Sequence, residues 1–165
     1  GVECARTHVT PEELNRHLDK YGITPGFPEA ASYCRDHGIP LIILSDGLDY
    51  YIEYILVRHG LSGIEYRANR LIFGGNGGPL GVEFPYDDGC GRCGNCKRRH
   101  METLRRDGET VVYVGDGYSD RYAVRSADVV FARGDLAHYC REHGIGYHPY
   151  NDFFDIVMFL GNGGE

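Results

Sequence analysis

Two apolar runs, each ended by an aspartate-glycine turn, limit what this chain can fold into. Pro40-Leu41-Ile42-Ile43-Leu44 runs into Ser45-Asp46-Gly47, and Thr110-Val111-Val112-Tyr113-Val114 runs into Gly115-Asp116-Gly117. Continuous rather than alternating apolar residues predict strands buried on both faces of a parallel sheet. A helical pattern, Leu48 to His59, follows the first run and is closed by Gly60. Val129-Val130-Phe131 reads as a third strand, with a helix after it over 136–143. Strand followed by helix at this spacing predicts βαβ units and a Rossmann-like α/β fold. Such sheets bind ligands at the carboxyl ends of their strands, where Ser45 and Asp116 stand.

The remaining chain completes the alternation. Thr10-Pro11-Glu12-Glu13 has the cap, the proline and the acids of a helix start, and predicts a helix to about Lys20. A second helix is expected from Phe27 to His37, another over 97–106 and a last over 153–160, with short extended pieces at 64–85 and at Tyr147-His148. Tyr33-Cys34-Arg35-Asp36-His37-Gly38-Ile39 nearly repeats as Tyr139-Cys140-Arg141-Glu142-His143-Gly144-Ile145. The favoured explanation is two helices ending in the same glycine cap, not a duplicated functional element. Glycine makes up 24 of 165 residues, about twice its usual share of roughly 7%, which places many tight turns and close backbone approaches.

Charge and apolar pattern exclude several classes. The net charge of −7 argues against a nucleic-acid binder, which would carry a basic face. No apolar run approaches the roughly 18 residues of a membrane span, and the first six residues do not form a signal peptide. Of six cysteines, Cys90, Cys93 and Cys96 fall within seven residues and the others are scattered. This spread predicts reduced thiols or a metal in the cytoplasm, not a secreted disulfide scaffold. Oligomeric state is not readable from the sequence.

Three constellations could carry chemistry, each with an ordinary alternative. In Gly115-Asp116-Gly117-Tyr118-Ser119-Asp120, two carboxylates four apart at a strand end suit Mg²⁺, which takes oxygen ligands and keeps water and phosphate in its shell. The alternative is an aspartate-glycine turn with a helix cap. Ser45, Asp46 and Gly47 place a hydroxyl and backbone N–H groups at a helix start, an anion cradle, or else a simple cap. Lys97 opens a helix directly after the cysteine loop and could balance phosphate charge, or be a solvated charge beside Arg98 and Arg99.

Taken in order, a hydroxyl after one strand, a lysine, and Gly-Asp-Gly-x-x-Asp after the next strand resemble the haloacid dehalogenase (HAD) superfamily of phosphatases. Ile42-Ile43-Leu44-Ser45-Asp46-Gly47, Cys96-Lys97 and Val112 to Asp120 are similar to its second, third and fourth motifs. The chain resembles the phosphoserine-phosphatase-like branch. Ser45-Asp46-Gly47-Leu48-Asp49, the loop running into Lys97, and Phe131-Ala132-Arg133 followed by Tyr150-Asn151-Asp152-Phe153 point within it to the 2-hydroxy-3-keto-5-methylthiopentenyl-1-phosphate phosphatases of methionine salvage. The resemblance implies a HAD core over roughly residues 25–160, with a cysteine-rich loop at 86–97 and residues 1–24 as a remnant of a helical cap. It implies a Mg²⁺-dependent phosphomonoester phosphatase acting on a small phosphorylated metabolite through an aspartyl-phosphate. Ser45 would hydrogen-bond the phosphoryl group, with Asp46 and Gly47 in the phosphate-binding loop, and Lys97 would neutralise charge. Asp116 would ligate Mg²⁺, with Asp120 ligating or supporting it, while Asp49, Tyr50 and Glu3 would line the substrate pocket. Phosphoserine phosphatase is the competing enzyme reading.

One family feature is missing. No Asp-x-Asp-x-Thr follows an apolar strand ahead of Ser45, so these 165 residues carry neither the nucleophile nor the general acid. They also lack the family's strand between those ending at Ser45 and Gly115, which leaves backbone to be paired. The expectation is an N-terminal segment outside this sequence, and no turnover by the 165 residues alone. The alternative is a non-catalytic domain, zinc-stabilised, binding a phosphorylated ligand or a protein. Cys90-x-x-Cys93-x-x-Cys96 with His100 has the spacing of a Zn²⁺ site, with a glycine-rich loop of reduced thiols as its equal rival.

Overall fold

The computed structural model describes residues 9–74, 79–87 and 93–164. The chain divides into two compact units, Gly1–Thr24 with Cys34–Asn95, and Pro25–Tyr33 with Cys96–Glu165.

The first unit opens on α1 (Pro11–Leu18). The Thr10 hydroxyl accepts from the Glu13 amide at 3.2 Å, and the Glu13 carboxylate accepts from the Thr10 amide at 3.0 Å. This reciprocal cap satisfies two amides that a helix start leaves unpaired. Thr10→Ala is expected to cost about 1 kcal/mol of local stability, read as faster amide exchange confined to α1. Tyr50 and Tyr54 of α3 (Asp49–Arg58) hold α1 in place by donating to Asn15 and Asp19 at 2.6 and 2.8 Å.

Ahead of α3 in the chain runs β1 (Ile42–Leu48), paired in parallel with β2 (Glu65–Phe73). The sequence places the end of this strand at Leu44. The structure continues it to Leu48, with the register broken between Leu44 and Leu48, so Ser45-Asp46-Gly47 form an irregularity inside the strand. Ile42, Ile43 and Leu44 are half-buried and not fully buried as their apolar run predicts. The reason is position: among the described residues β1 has a single hydrogen-bonded neighbour and lies at an edge of its sheet. The extended pieces read at 64–85 become β2 and β3 (Pro79–Glu83), an antiparallel pair with Leu71 opposite Val82.

The second unit carries β4 (Val112–Gly115), β5 (Val129–Ala132) and β6 (His148–Pro149), all parallel. Its helices include α4 (Lys97–Leu104), α5 (Gly134–Glu142) and α6 (Phe153–Gly161). Two 3₁₀ turns, Tyr118–Tyr122 and Val124–Ser126, follow β4. Phe131, Tyr150 and Ile156 form its buried centre, with Phe159 edge-on to Phe131 at 5.0 Å. Among the described residues, β1-β2-β3 and β4-β5-β6 are separate sheets.

The sequence echo has a local cause. α2 (Phe27–Asp36) ends where Gly38 turns to φ 66°, and α5 where Gly144 turns to φ 62°. The Ile39 amide donates to the Cys34 carbonyl at 2.8 Å, and the Ile145 amide to the Cys140 carbonyl at 2.9 Å. Both are the same glycine-terminated cap, which residues with a Cβ enter at a cost. Cys34 and Cys140 are buried, and burial pushes both thiols' pKa values up, so they stay protonated and unreactive.

Candidate active site

In the second unit the chemistry gathers at the end of β4. Asp120 returns from the first 3₁₀ turn and is buried. Its Oδ2 accepts from the amides of Asp116 and Gly117 at 3.1 and 3.0 Å, and its Oδ1 accepts from the Tyr113 hydroxyl at 2.8 Å and from Lys97 Nζ at 2.6 Å. Lys97 also donates to Ser119 Oγ at 3.0 Å. The Lys97 and Asp120 side chains are 11% and 7% exposed, so this is a buried ion pair and not a solvated charge.

Burial alone would raise the Asp120 carboxyl and is the largest single influence on it. The charge and hydrogen bond of Lys97, with the Gly117 amide and the Tyr113 hydroxyl, together outweigh it and hold the pKa below the usual carboxylate value. A depressed folded pKa adds stability that is present above the unfolded value and lost as pH falls through the folded one. The stability difference between the parent and Asp120→Asn is therefore expected to be full at neutral pH and to shrink below about pH 4, measured as urea midpoints across pH. A constant difference would remove Asp120 as its source. Tyr113→Phe removes a donor to this carboxylate and is expected to cost about 2 kcal/mol by the same denaturation.

Asp116 differs from Asp120. Its side chain is 60% exposed and meets Arg133 Nη2 at 3.4 Å. Arg133 Nη1 donates to the Asn151 carbonyl at 2.7 Å, and the guanidinium lies over the Tyr150 ring at 4.9 Å. Burial pushes the Tyr150 hydroxyl up to about 12, which keeps it neutral. The two distant segments Phe131-Ala132-Arg133 and Tyr150-Asn151 thus converge on Asp116. An open carboxylate with water-accessible sides fits Mg²⁺, which usually takes one or two carboxylates and fills its shell with water and phosphate. Asp120, with both oxygens occupied, fits a supporting role.

Ser45, Asp46 and Gly47 lie in the first unit. The Gly47 amide donates to Ser45 Oγ at 3.0 Å, which leaves the serine's own O–H free to donate. The serine does not cap α3: Leu48 is the cap residue and makes no side-chain cap bond. Asn95 Nδ2 donates to the Ser45 carbonyl and Asn69 Nδ2 to the Asp46 carbonyl. Asp49 Oδ1 accepts from the amides of Tyr50 and Leu71 at 2.7 and 2.9 Å, tying α3 to β2. Tyr50 packs edge-on against Phe73 at 5.1 Å while its hydroxyl holds Asn15. Glu3 lies outside the described residues.

Of the proposed zinc ligands, Cys90 also lies outside the described residues. Cys96 and His100 are buried, and Cys93 is half-buried. The His100 amide donates to the Cys96 carbonyl at 3.1 Å as part of the first turn of α4. Among the described residues no group of three or more His, Cys, Asp or Glu side chains is gathered to hold a metal ion.

A family model described as haloacid dehalogenase-like hydrolase matches residues 5–125. The chain belongs to this family. HAD relatives include a 2-hydroxy-3-keto-5-methylthiopentenyl-1-phosphate phosphatase of Exiguobacterium sibiricum, 34% identical over 84% of this chain and 63% of the relative. A protein of the same description from Lysinibacillus sphaericus is 31% identical over 93% of this chain and 69% of its own length. The chain therefore spans about two thirds of the curated relatives it matches. The fold is that of solved HAD phosphatases: a phosphoserine phosphatase from T. onnurineus superposes with TM-score 0.64 at 21% identity, over 93% of this chain and 66% of the other. The HAD α/β fold with parallel strands and the resemblance to the methylthiopentenyl phosphatases both hold.

Four contributors escape motif reading. In the second unit Tyr113 and Arg133 reach the two aspartates, and in the first Asn69 and Asn95 reach the backbone of Ser45 and Asp46. Tyr113 left one trace, a polar tip inside an otherwise apolar strand. Arg133 stands in Phe131-Ala132-Arg133, a segment that carries the family resemblance.

Proposed function

We propose that this chain is the phosphate-handling part of a HAD phosphomonoesterase whose substrate is a small phosphorylated metabolite of the 2-hydroxy-3-keto-5-methylthiopentenyl-1-phosphate class. The observation that carries this reading is the buried Lys97–Asp120 pair, whose carboxylate accepts from the backbone amide of Asp116 while the Asp116 carboxylate itself stays exposed. The names of the relatives at 34% and 31% identity support the substrate class. Lys97, held by Asp120 and Ser119, presents a positive charge that needs no reorganisation to meet a phosphoryl group. The Ser45 O–H donates to a phosphoryl oxygen, and the backbone at Asp46 and Gly47 leads into α3, whose amino end favours an anion. Asp116 would hold Mg²⁺, which when bound offsets charge on the phosphoryl oxygens. Nothing in the described residues supports a role for zinc, and the cytoplasm is the compartment proposed.

The nucleophile is not among these residues, because no Asp-x-Asp-x-Thr occurs in them. The second reading is a phosphate-binding domain without catalysis. The test is the polypeptide as encoded, with whatever precedes Gly1, assayed on a panel of phosphomonoesters with and without Mg²⁺. Mg²⁺-dependent hydrolysis, lost in Asp116→Ala, is expected, and the 165 residues alone are expected to show none. Phosphate binding without turnover by the encoded polypeptide would establish the second reading instead.

A further inference from the structure

We infer that Asn69 and Asn95 are positioning residues, a pair of side-chain clamps that aim the Ser45 hydroxyl by gripping the backbone on which it stands. The inference rests on the phosphate-binding role proposed for Ser45. Both side chains are buried, Asn69 to 4% exposure and Asn95 to 0%. Asn95 Nδ2 donates to the Ser45 carbonyl at 2.7 Å and to the Arg67 carbonyl at 2.8 Å, joining the end of β1 to β2 with one amide group. Asn69 Nδ2 donates to the next carbonyl, that of Asp46, at 2.8 Å.

These grips fall where the strand ladder fails. Register runs evenly through Leu44 opposite Arg67, then slips before Leu48 opposite Asn69. Across the slip, side-chain amides take the carbonyls that a regular ladder would pair. Two consecutive carbonyls held from buried side chains orient the peptide planes on both sides of Asp46. The Gly47 amide can then reach Ser45 Oγ.

Asn69 keeps this grip at a cost to the fold. Its Oδ1 is buried and has no hydrogen-bond partner among the described residues. The amide cannot turn over, because the oxygen would then face the Asp46 carbonyl oxygen. An apolar residue of similar shape would leave no orphaned acceptor, so what asparagine adds here is the hold on Asp46.

The test uses the polypeptide as encoded, inorganic phosphate as the probe, and backbone amide signals as the readout. Asn69→Leu is expected to leave the thermal midpoint unchanged or raised, since it removes an orphaned acceptor. It is expected to speed exchange of the Gly47 amide and to weaken phosphate binding, each by about fivefold, the size of one lost hydrogen bond. Exchange of the Tyr113 amide in β4 should not change. Asn69→Ala, which cannot overfill the site, is expected to show the same two changes at a temperature where it is fully folded. Parent-like Gly47 exchange in both variants overturns the clamp, as does faster exchange at Gly47 and Tyr113 alike, which marks a general loss of stability. Failure of both variants to fold also overturns it, since a positioning residue is dispensable to the fold. If phosphate does not shift the Gly47 signal in the parent, the phosphate-binding role of Ser45 falls, and Gly47 exchange alone decides: faster supports the clamp, unchanged overturns it.

Discussion

Asp120→Ala is expected to lower the unfolding free energy by about 3–5 kcal/mol, because it strands the Lys97 ammonium in a site that is 11% exposed. Three further donors, the amides of Asp116 and Gly117 and the Tyr113 hydroxyl, lose their acceptor at the same time. In a chain of this size that loss corresponds to a fall of about 10 °C in thermal midpoint. Urea denaturation at neutral pH checks it, and a loss under about 1 kcal/mol would mean that water replaces the carboxylate freely. Lys97→Met in the Asp120→Ala background separates the two costs. It removes the stranded charge and is expected to recover part of the lost stability, whereas Lys97→Met alone should destabilise.

Gly115→Ala is expected to cost about 3 kcal/mol although the glycine backbone is not left-handed there. The constraint is space. A Cβ at Gly115 would sit 2.7 Å from Asp120 Oδ2 and 3.0 Å from Leu136 Cδ2. The carboxylate cannot swing aside without giving up its donors, and Leu136 is fully buried. The expected signature is a shift and faster exchange of the Asp116 and Gly117 amides, together with a lower urea midpoint. Gly117→Ala is the control: its Cβ would lie 3.7 Å from the same oxygen, an ordinary contact, and a small effect is expected. Equal effects at the two positions would refute the packing explanation.

The two glycines show how far the motif was legible. Gly-Asp-Gly-x-x-Asp after an apolar strand placed both carboxylates at a strand end. It could not say that one glycine makes room for a buried carboxylate while the other does not. Nor could spacing divide the work of the aspartates, since exposure separates them: Asp116 is open and Asp120 is enclosed. The strand runs past Leu44 to Leu48, and the grips on Ser45 and Asp46 along that stretch come from residues 69 and 95, which no local pattern around β1 reveals.

Helix starts, glycine caps, the parallel strands and the order of the three phosphatase-like motifs were set by the sequence itself. Each depends on residues within a turn or two of one another, or on short periodic patterns, and such interactions are written locally. What Lys97 faces, which aspartate stays open, and what holds Ser45 in place were decided by tertiary structure alone. Those depend on which distant side chains lose water together, and burial turns an ordinary lysine, tyrosine or asparagine into a partner that must be satisfied.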